Sequence, residues 1–402
     1  MRAVMCVIIV AALCACGRDA RITEPRAFFS RQVTRPHYTI AVLGTLGGNS
    51  QGGGINNAGW VAGYSGRPDG TRHAALWRDG SVIDLGPLGA SGAGLQSNVQ
   101  WPGVSNSGFV VGISHITALD TLGEAWSCAA FMPATGHICR GFVWRAGVMT
   151  ALPTLGGENG FAAGVNEPGQ AVGWSETPVR DPTCHVPQVL QFRATVWESG
   201  RATALPPFPG DSTSAATAIN ARGQVVGISG ECDVAVGRRS ATHAVLWDGG
   251  TVTDLGNLGG AFWHTPMAIN DRGDVVGFSN PPNGNIDGDS LRAVLWTSAT
   301  GMKDLGRLDG DGLSEALDVN NRGQIVGVSC GDVCHAVLWQ NGVRYKLQDL
   351  IPGFTDLLWS ARSINDSGQI TGRVIELATG RARAYVATPV ISVDDAPAIP
   401  AR

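Results

Sequence analysis

Apolar and polar positions along this chain alternate in short runs of four to six residues, broken by Gly, Asn and Asp. A helical 3.6-residue period appears nowhere, so the pattern predicts β-strands and turns. The runs recur in one order. The clearest element is Ile/Val-Asn-x-x-Gly-x-Val-Val-Gly-x-Ser, seen as Ile55-Asn56-Asn57-Ala58-Gly59-Trp60-Val61-Ala62-Gly63. Its turn glycine returns at Gly108, Gly169, Gly223, Gly273, Gly323 and Gly368, at spacings of 49, 61, 54, 50, 50 and 45 residues. A second element ends in Trp at positions 77, 144, 197, 247, 296 and 339, and its seventh copy, Arg383–Ala387, lacks the Trp. A third, Asp84-Leu85-Gly86, recurs around Leu152, Leu205, Leu255, Leu305 and Leu350.

Each copy reads as four strands, A to D. In the fourth copy these are Ala216–Asn220, Gln224–Ser229, Ala244–Trp247 and Thr251–Leu255. Asn220-Ala221-Arg222-Gly223 has the residues of a tight hairpin with Gly in the left-handed position. Seven units of four antiparallel strands predict an all-β, seven-bladed β-propeller. Strand A carries small residues two apart (Gly52 and Gly54, Ala162 and Gly164, Ala216 and Ala218), expected on one face where the blades converge. Trp101 takes the outer of these two positions in the second copy, and strand-C Trp would fill the wedge farther out. The seventh copy stops after strand C near Pro389, and an orphan strand, Tyr38–Gly44, precedes the first. The orphan supplies the missing strand D, a 3+1 closure that leaves no open edge. An open β-solenoid is the alternative, but it needs capping units.

The first residues are an export signal. Met1-Arg2 precedes eleven apolar residues, Ala3–Leu13, too few to span a bilayer. The ending Leu13-Cys14-Ala15-Cys16-Gly17 resembles the lipobox of bacterial lipoproteins, which implies a signal over 1–15 and lipidation at Cys16; the polar, aperiodic stretch to residue 37 reads as a tether over 16–37, the repeats as the propeller over 38–389, and 390–402 as a disordered tail. An ordinary cleaved signal with secretion is the alternative. The repeats themselves resemble those of the HAF-repeat family of predicted bacterial extracellular proteins. The resemblance rests on His73-Ala74, His243-Ala244 and His335-Ala336, on Leu43–Gly48 and Leu255–Gly260, and on the Ile-Asn-x-x-Gly motifs. It covers residue 38 to about 388 and implies architecture and an extracellular address, with no active site.

Composition fits one repeated unit. Gly numbers 56 of 402 residues, about twice the usual share, and most of these glycines fall at repeat turns and strand ends. Net charge is −4, with two Lys against 27 Arg, so nothing resembles the basic footprint of a nucleic-acid binder. Six cysteines lie beyond Cys16. In an exported chain an even number points to disulfides. Neighbourhood favours Cys128–Cys139, Cys330–Cys334 and, between the third and fourth units, Cys184–Cys232; Cys330, Cys334 and His335 as zinc ligands is the weaker reading, since no fourth ligand is evident.

The strand-C start reads His73, Arg140, Arg193, His243, Arg292, His335, Arg383, and the shared property of His and Arg is donation, not metal binding. The turn Asn (Asn56, Asn166, Asn220, Asn270, Asn320, Asn365, with Ser105 in the second unit) suits bonding to its own turn. The B–C segments 115–139, 176–192, 230–242 and 280–291 vary in length, which makes that end of the ring the expected binding face. Trp101, Phe161, Trp263, His264 and Trp359 lie near the starts of strands A; they are candidate ligand contacts at the channel mouth, or packing that plugs it. Asn283, Asn285, Asp287 and Asp289 resemble the start of a calcium loop without its closing Glu, so calcium is a candidate ion, with Asp309, Asp311 and Glu315 on the same face. No nucleophile elbow, zinc-protease or phosphate-loop motif is present. The expectation is a monomeric envelope lipoprotein binding a glycan or surface protein, with a polysaccharide hydrolase or lyase as the alternative. No other cofactor is expected.

Overall fold

A computed structural model describes residues 35–89, 94–124, 126–235 and 237–390, apart from the Trp126 side chain; the Cys16, tether and tail expectations fall wholly or largely outside them. Residues 36–390 form seven four-stranded antiparallel sheets in a ring, a seven-bladed β-propeller. Every blade runs A-B-C-D outward. In blade 4 the strands are Thr213–Ile219, Val225–Gly230, His243–Asp248 and Thr251–Asp254. The last sheet takes its outer strand from the other end of the chain: Tyr38–Val42 pairs Ala382–Pro389 from Tyr38↔Pro389 to Val42↔Tyr385. The ring is therefore closed 3+1, as the orphan strand predicts.

The turn after strand A follows the hairpin expectation, with Gly223 at φ 77°. A residue other than Gly would be strained there. The strand-C tryptophans fill the outer wedge, and all but Trp296 are buried. Several also pin the crossing that enters their blade: Trp77, Trp197 and Trp247 Nε1 donate to Gly44, Pro153 and Pro206 carbonyls, each at 2.7 Å.

Strand A differs from the expectation in one respect. In six blades its pairing slips by one residue, at Gly53, Ala163, Thr217, Met267, Leu317 and Arg362. This β-bulge breaks the alternation of faces. The two small positions therefore lie on opposite faces: a side chain at Gly52 would meet Thr371 of blade 7, and one at Gly54 would meet Pro102 of blade 2. Both neighbours crowd the innermost strand, so both positions are small. The bulge also explains the invariant glycine of strand B. A Cβ at Gly227 would land on the Ala215 carbonyl, and the same holds in all seven blades.

Blade 2 enlarges the bulge. Asn98 pairs Ile113 and the next bridge is Val104↔Val110, so Gln100, Trp101 and Pro102 bow out of the strand. Val99 takes the small position assigned to Trp101 from the sequence, and Trp101 is freed toward the axis. In blades 2 and 3 the B–C segments are partly strand: Val110–Leu119 and Ala171–Arg180 run past the blade and pair with the starts of strand C.

Candidate functional site

The two ends of the ring are built differently. At the A–B end the turn Asn does more than bond its own turn. Its Oδ1 accepts from that turn, as Asn220 does from Arg222 and Gln224 N–H at 3.0 Å. Its Nδ2 reaches the equivalent carbonyl of the next blade. These links run Asn56→Ser105, Asn166→Asn220→Asn270→Asn320→Asn365→Asn56 at 2.9–3.3 Å. The circle is broken only at Ser105, whose side chain is too short.

The following residue makes a second circle. Side chains of Asn106, Glu167, Asp271, Asn321, Asp366 and Asn57 each accept the backbone N–H of the preceding blade's equivalent residue at 2.7–2.9 Å. Ala221 breaks this one, leaving the Glu167 N–H without such an acceptor. Together they frame a cavity of about 280 Å³ touched by all seven blades. The sequence carries a signal for it, an Asn, Asp or Glu after the turn Asn or Ser in six of seven repeats, but only ring closure shows that its partner lies one blade away.

The B–C end carries the three disulfides, Cys128–Cys139, Cys184–Cys232 and Cys330–Cys334, paired as the sequence favours. They fit an oxidising, extracytoplasmic compartment. No helix among the described residues is long and apolar enough to cross a membrane. The strand-C His/Arg position is a donor to the crossings: His73 to Asp84 at 2.8 Å, His243 to Asp211 at 2.9 Å and Arg292 to the Gly312 carbonyl at 2.8 Å.

Of the five aromatic candidates, three meet. Trp101 stands 5.2 Å from Phe161 and 5.6 Å from Phe131. Trp101 and Trp263 each pack against two apolar clusters, one from blades 2–4 and one from blades 5 and 6. A side chain from blade 2 reaches blade 6 only across the axis, so the pair plugs the channel. Phe161 and His264 are fully buried and present no surface. His264 bonds Ser279 Oγ at 2.8 Å and the Gly260 carbonyl at 3.1 Å, and burial pushes its pKa down to about 4. Trp359 lies apart, half-buried under the Arg373 guanidinium at 5.1 Å.

Asn283, Asn285, Asp287 and Asp289 are all exposed. Asn285 Oδ1 accepts from Gly288 N–H at 3.1 Å, so it is used within the turn. Among the described residues no three His, Cys, Asp or Glu side chains are grouped to hold a metal ion. Asp311 accepts from Ser329 Oγ at 2.5 Å.

Sequence reading missed a buried carboxylate pair between blades 2 and 3. Glu124 accepts from Val189 and Leu190 N–H at 2.6 and 2.5 Å, and Glu176 accepts from Asn159 N–H at 2.7 Å. Gln188 Nε2 bridges them, 3.0 Å from Glu124 and 3.5 Å from Glu176. Burial, reinforced by the Glu124 charge, pushes Glu176 up to about 7. Both residues are sealed from solvent, so the pair holds loops and offers nothing to a polysaccharide.

No family model matches the chain, and no curated protein matches it. Among solved structures it is similar to a puromycin-hydrolyzing peptidase of Mycobacterium tuberculosis (15% identity, TM-score 0.43), matching 84% of this chain but only 48% of that one. It is also similar to an Aleuria aurantia lectin mutant in complex with Fucα1-6GlcNAc (10% identity, 90% and 97% covered, TM-score 0.34). The chain spans about half the length of the peptidase. At these scores neither likeness bears on what this protein does.

Proposed function

We propose that the protein is an exported binding module that takes a glycan or a surface protein on its B–C end. The observation that carries this reading is the placement of exposed apolar side chains. Of the nine exposed large apolar side chains among the described residues, five (Leu119, Val179, Val186, Val333 and Leu377) belong to B–C segments, while Val42, Val148, Val343 and Val390 are spread over the outer strands and the chain end. Exposed apolar residues on variable loops, three of them beside disulfides, are what an interaction surface offers a partner. In this reading Cys16 carries the lipid, the residues that follow are the tether, and the repeats are of the HAF type.

The test compares the two ends. Leu119→Arg with Leu377→Arg alters the B–C end, and Val148→Arg alters a C–D turn. Binding of the full chain to a glycan array and to purified envelope proteins should fall about tenfold in the first variant. The second should bind like wild type. Equal loss in both, or no ligand in either collection, would sink the proposal. Labelling with an alkynyl fatty acid, abolished by Cys16→Ala, checks the anchor.

A further inference from the structure

One layer of the ring changes character around the axis. On strand A it reads Gln51, Asn98, Phe161, Ala215, Thr265, Glu315, Ser360; the residues paired with these on strand B read Tyr64, Ile113, Trp174, Ile228, Phe278, Val328, Arg373. Blades 2 to 6 put an aliphatic or aromatic residue on strand B, and those of blades 2 to 4 pack directly into the plug cluster. Blade 7 puts an arginine there, and blade 1 a tyrosine.

Two more arginines join it. Arg362 is the strand-A bulge residue of blade 7, where Met267 and Leu317 fill the same position in blades 5 and 6. Arg72, at the start of strand C in blade 1, lies with its guanidinium 4.1 Å over the Tyr64 ring. Arg72 and Arg362 reach toward Phe131 and Gln100, both held by the one Asn98 amide at 2.6 and 3.1 Å, and Arg373 lies opposite Ser360, two residues before Arg362, which ties the three into one niche. All three are half-buried.

Their hydrogen bonding is sparse. Arg72 Nη1 reaches the Phe131 carbonyl and Arg362 Nη2 the Gln100 carbonyl, both at a long 3.4 Å. The Nε atoms of Arg362 and Arg373 are buried without partners. Arg373 makes no hydrogen bond or ion pair with any described residue; its one aromatic neighbour is Trp359. Among the described residues Glu315 is the carboxylate that acts on Arg362, and it closes no ion pair. Three guanidiniums thus share a niche in which one acid acts on Arg362 alone, and fork-shaped donors are left without partners. Leaving such donors unmatched in a half-buried site costs free energy that a planar anion would recover.

We propose that Arg72, Arg362 and Arg373 form an anion subsite on the B–C end that takes the carboxylate of a uronic-acid sugar. This rests on the binding-module reading above. A carboxylate matches the guanidinium fork bidentately. The Gln51 amide and the Gln100 carbonyl supply partners for hydroxyls, and the half-buried Trp359 ring beside Arg373 adds flat apolar surface. An acidic sugar combines all three demands.

Calorimetry of the full chain with trimers of galacturonate, glucuronate and mannuronate tests it. At least one trimer should bind, its methyl ester should bind about tenfold more weakly, and added salt should weaken the acid form alone. Arg373→Gln should cost about tenfold and Arg72→Gln a smaller, measurable factor. If Arg373→Gln fails to fold by circular dichroism, Arg72→Gln, at the edge of the niche, carries the comparison. Absence of binding by all three trimers, equal binding of the ester, or wild-type affinity in the folded variants overturns the subsite. Capture of hexaglutamate in place of the trimers, lost in Arg373→Gln, overturns the sugar assignment. A neutral ligand sensitive to Leu119→Arg with Leu377→Arg but indifferent to Arg373→Gln removes the subsite and keeps the binding module. Loss of every ligand removes both.

Discussion

The A–B end and the B–C end of this ring solve one problem, holding seven blades together, by different means. At the A–B end every blade presents the same turn. One side chain can therefore bond the next blade in the same way at each step, and two circles of hydrogen bonds result, each broken at a single blade. At the B–C end the segments differ in length, and what repeats lies beneath them: Ser50, Ser97, Ser214 and Ser314 at the starts of strands A accept the strand-C N–H of Ala384, Ala74, Ala194 and Ala293 from the preceding blade. The segments above them are fastened one by one in blades 2 to 6: by a disulfide, by the buried Glu124–Gln188–Glu176 bridge, or by Trp263 wedged among apolar loops. Uniformity makes a frame stable through repetition, while variation needs local and costly fastenings. That contrast is what frees the B–C end for recognition.

The comparison breaks most readily at the covalent fastening. Cys184 and Cys232 close a loop of 48 residues between blades 3 and 4. Replacing both with Ser should cost about 4 kcal/mol of stability by the chain-entropy account. Urea unfolding checks this, and a cost under about 1 kcal/mol would mean the B–C end does not depend on it.

The buried acid comes next. Glu176 is raised to about 7, chiefly by desolvation, so it holds a proton in the folded protein under conditions where the unfolded chain, with an ordinary Glu near pH 4.3, has lost it. The fold is then stabilised at low pH, and that contribution is lost as pH rises through about 7. Relative to Glu176→Gln, the wild type should lose on the order of 1–3 kcal/mol between about pH 5 and pH 8. Parallel pH profiles of thermal unfolding for the two proteins would refute the assignment.

The smallest effect sharpens the other side. Ala221 interrupts the outer circle at the A–B end. Ala221→Asn would give the Glu167 N–H its missing acceptor and should raise stability by about 0.5–1 kcal/mol. The same substitution type tried in a B–C loop has no waiting donor and should do nothing. A loss at Ala221, seen in the denaturant midpoint, would show that the circle is ornamental rather than supporting.

Much of this protein is legible in the chain alone. Gly59 and its six equivalents mark turns because Gly tolerates the left-handed backbone. The Trp of strand C marks the outer wedge, and the orphan Tyr38–Val42 marks closure. Cysteine neighbourhood named all three disulfides. The candidate sites were less legible. Trp101 was assigned to a small position because spacing alone hides a bulge that adds residues to one strand. His264 looked like a surface ligand because sequence does not record burial.

What the sequence determined by itself is the unit and its count, since turn chemistry and strand alternation are local and repeat where they are needed. What only the tertiary structure decided is everything that joins one unit to another. The Asn circles, the Glu124–Glu176 bridge, the plug of Trp101 and Trp263, and the Arg72–Arg362–Arg373 niche all unite residues from different blades. The physical reason is that a closed ring makes neighbours of residues tens or hundreds of positions apart, and no local pattern along the chain records that proximity.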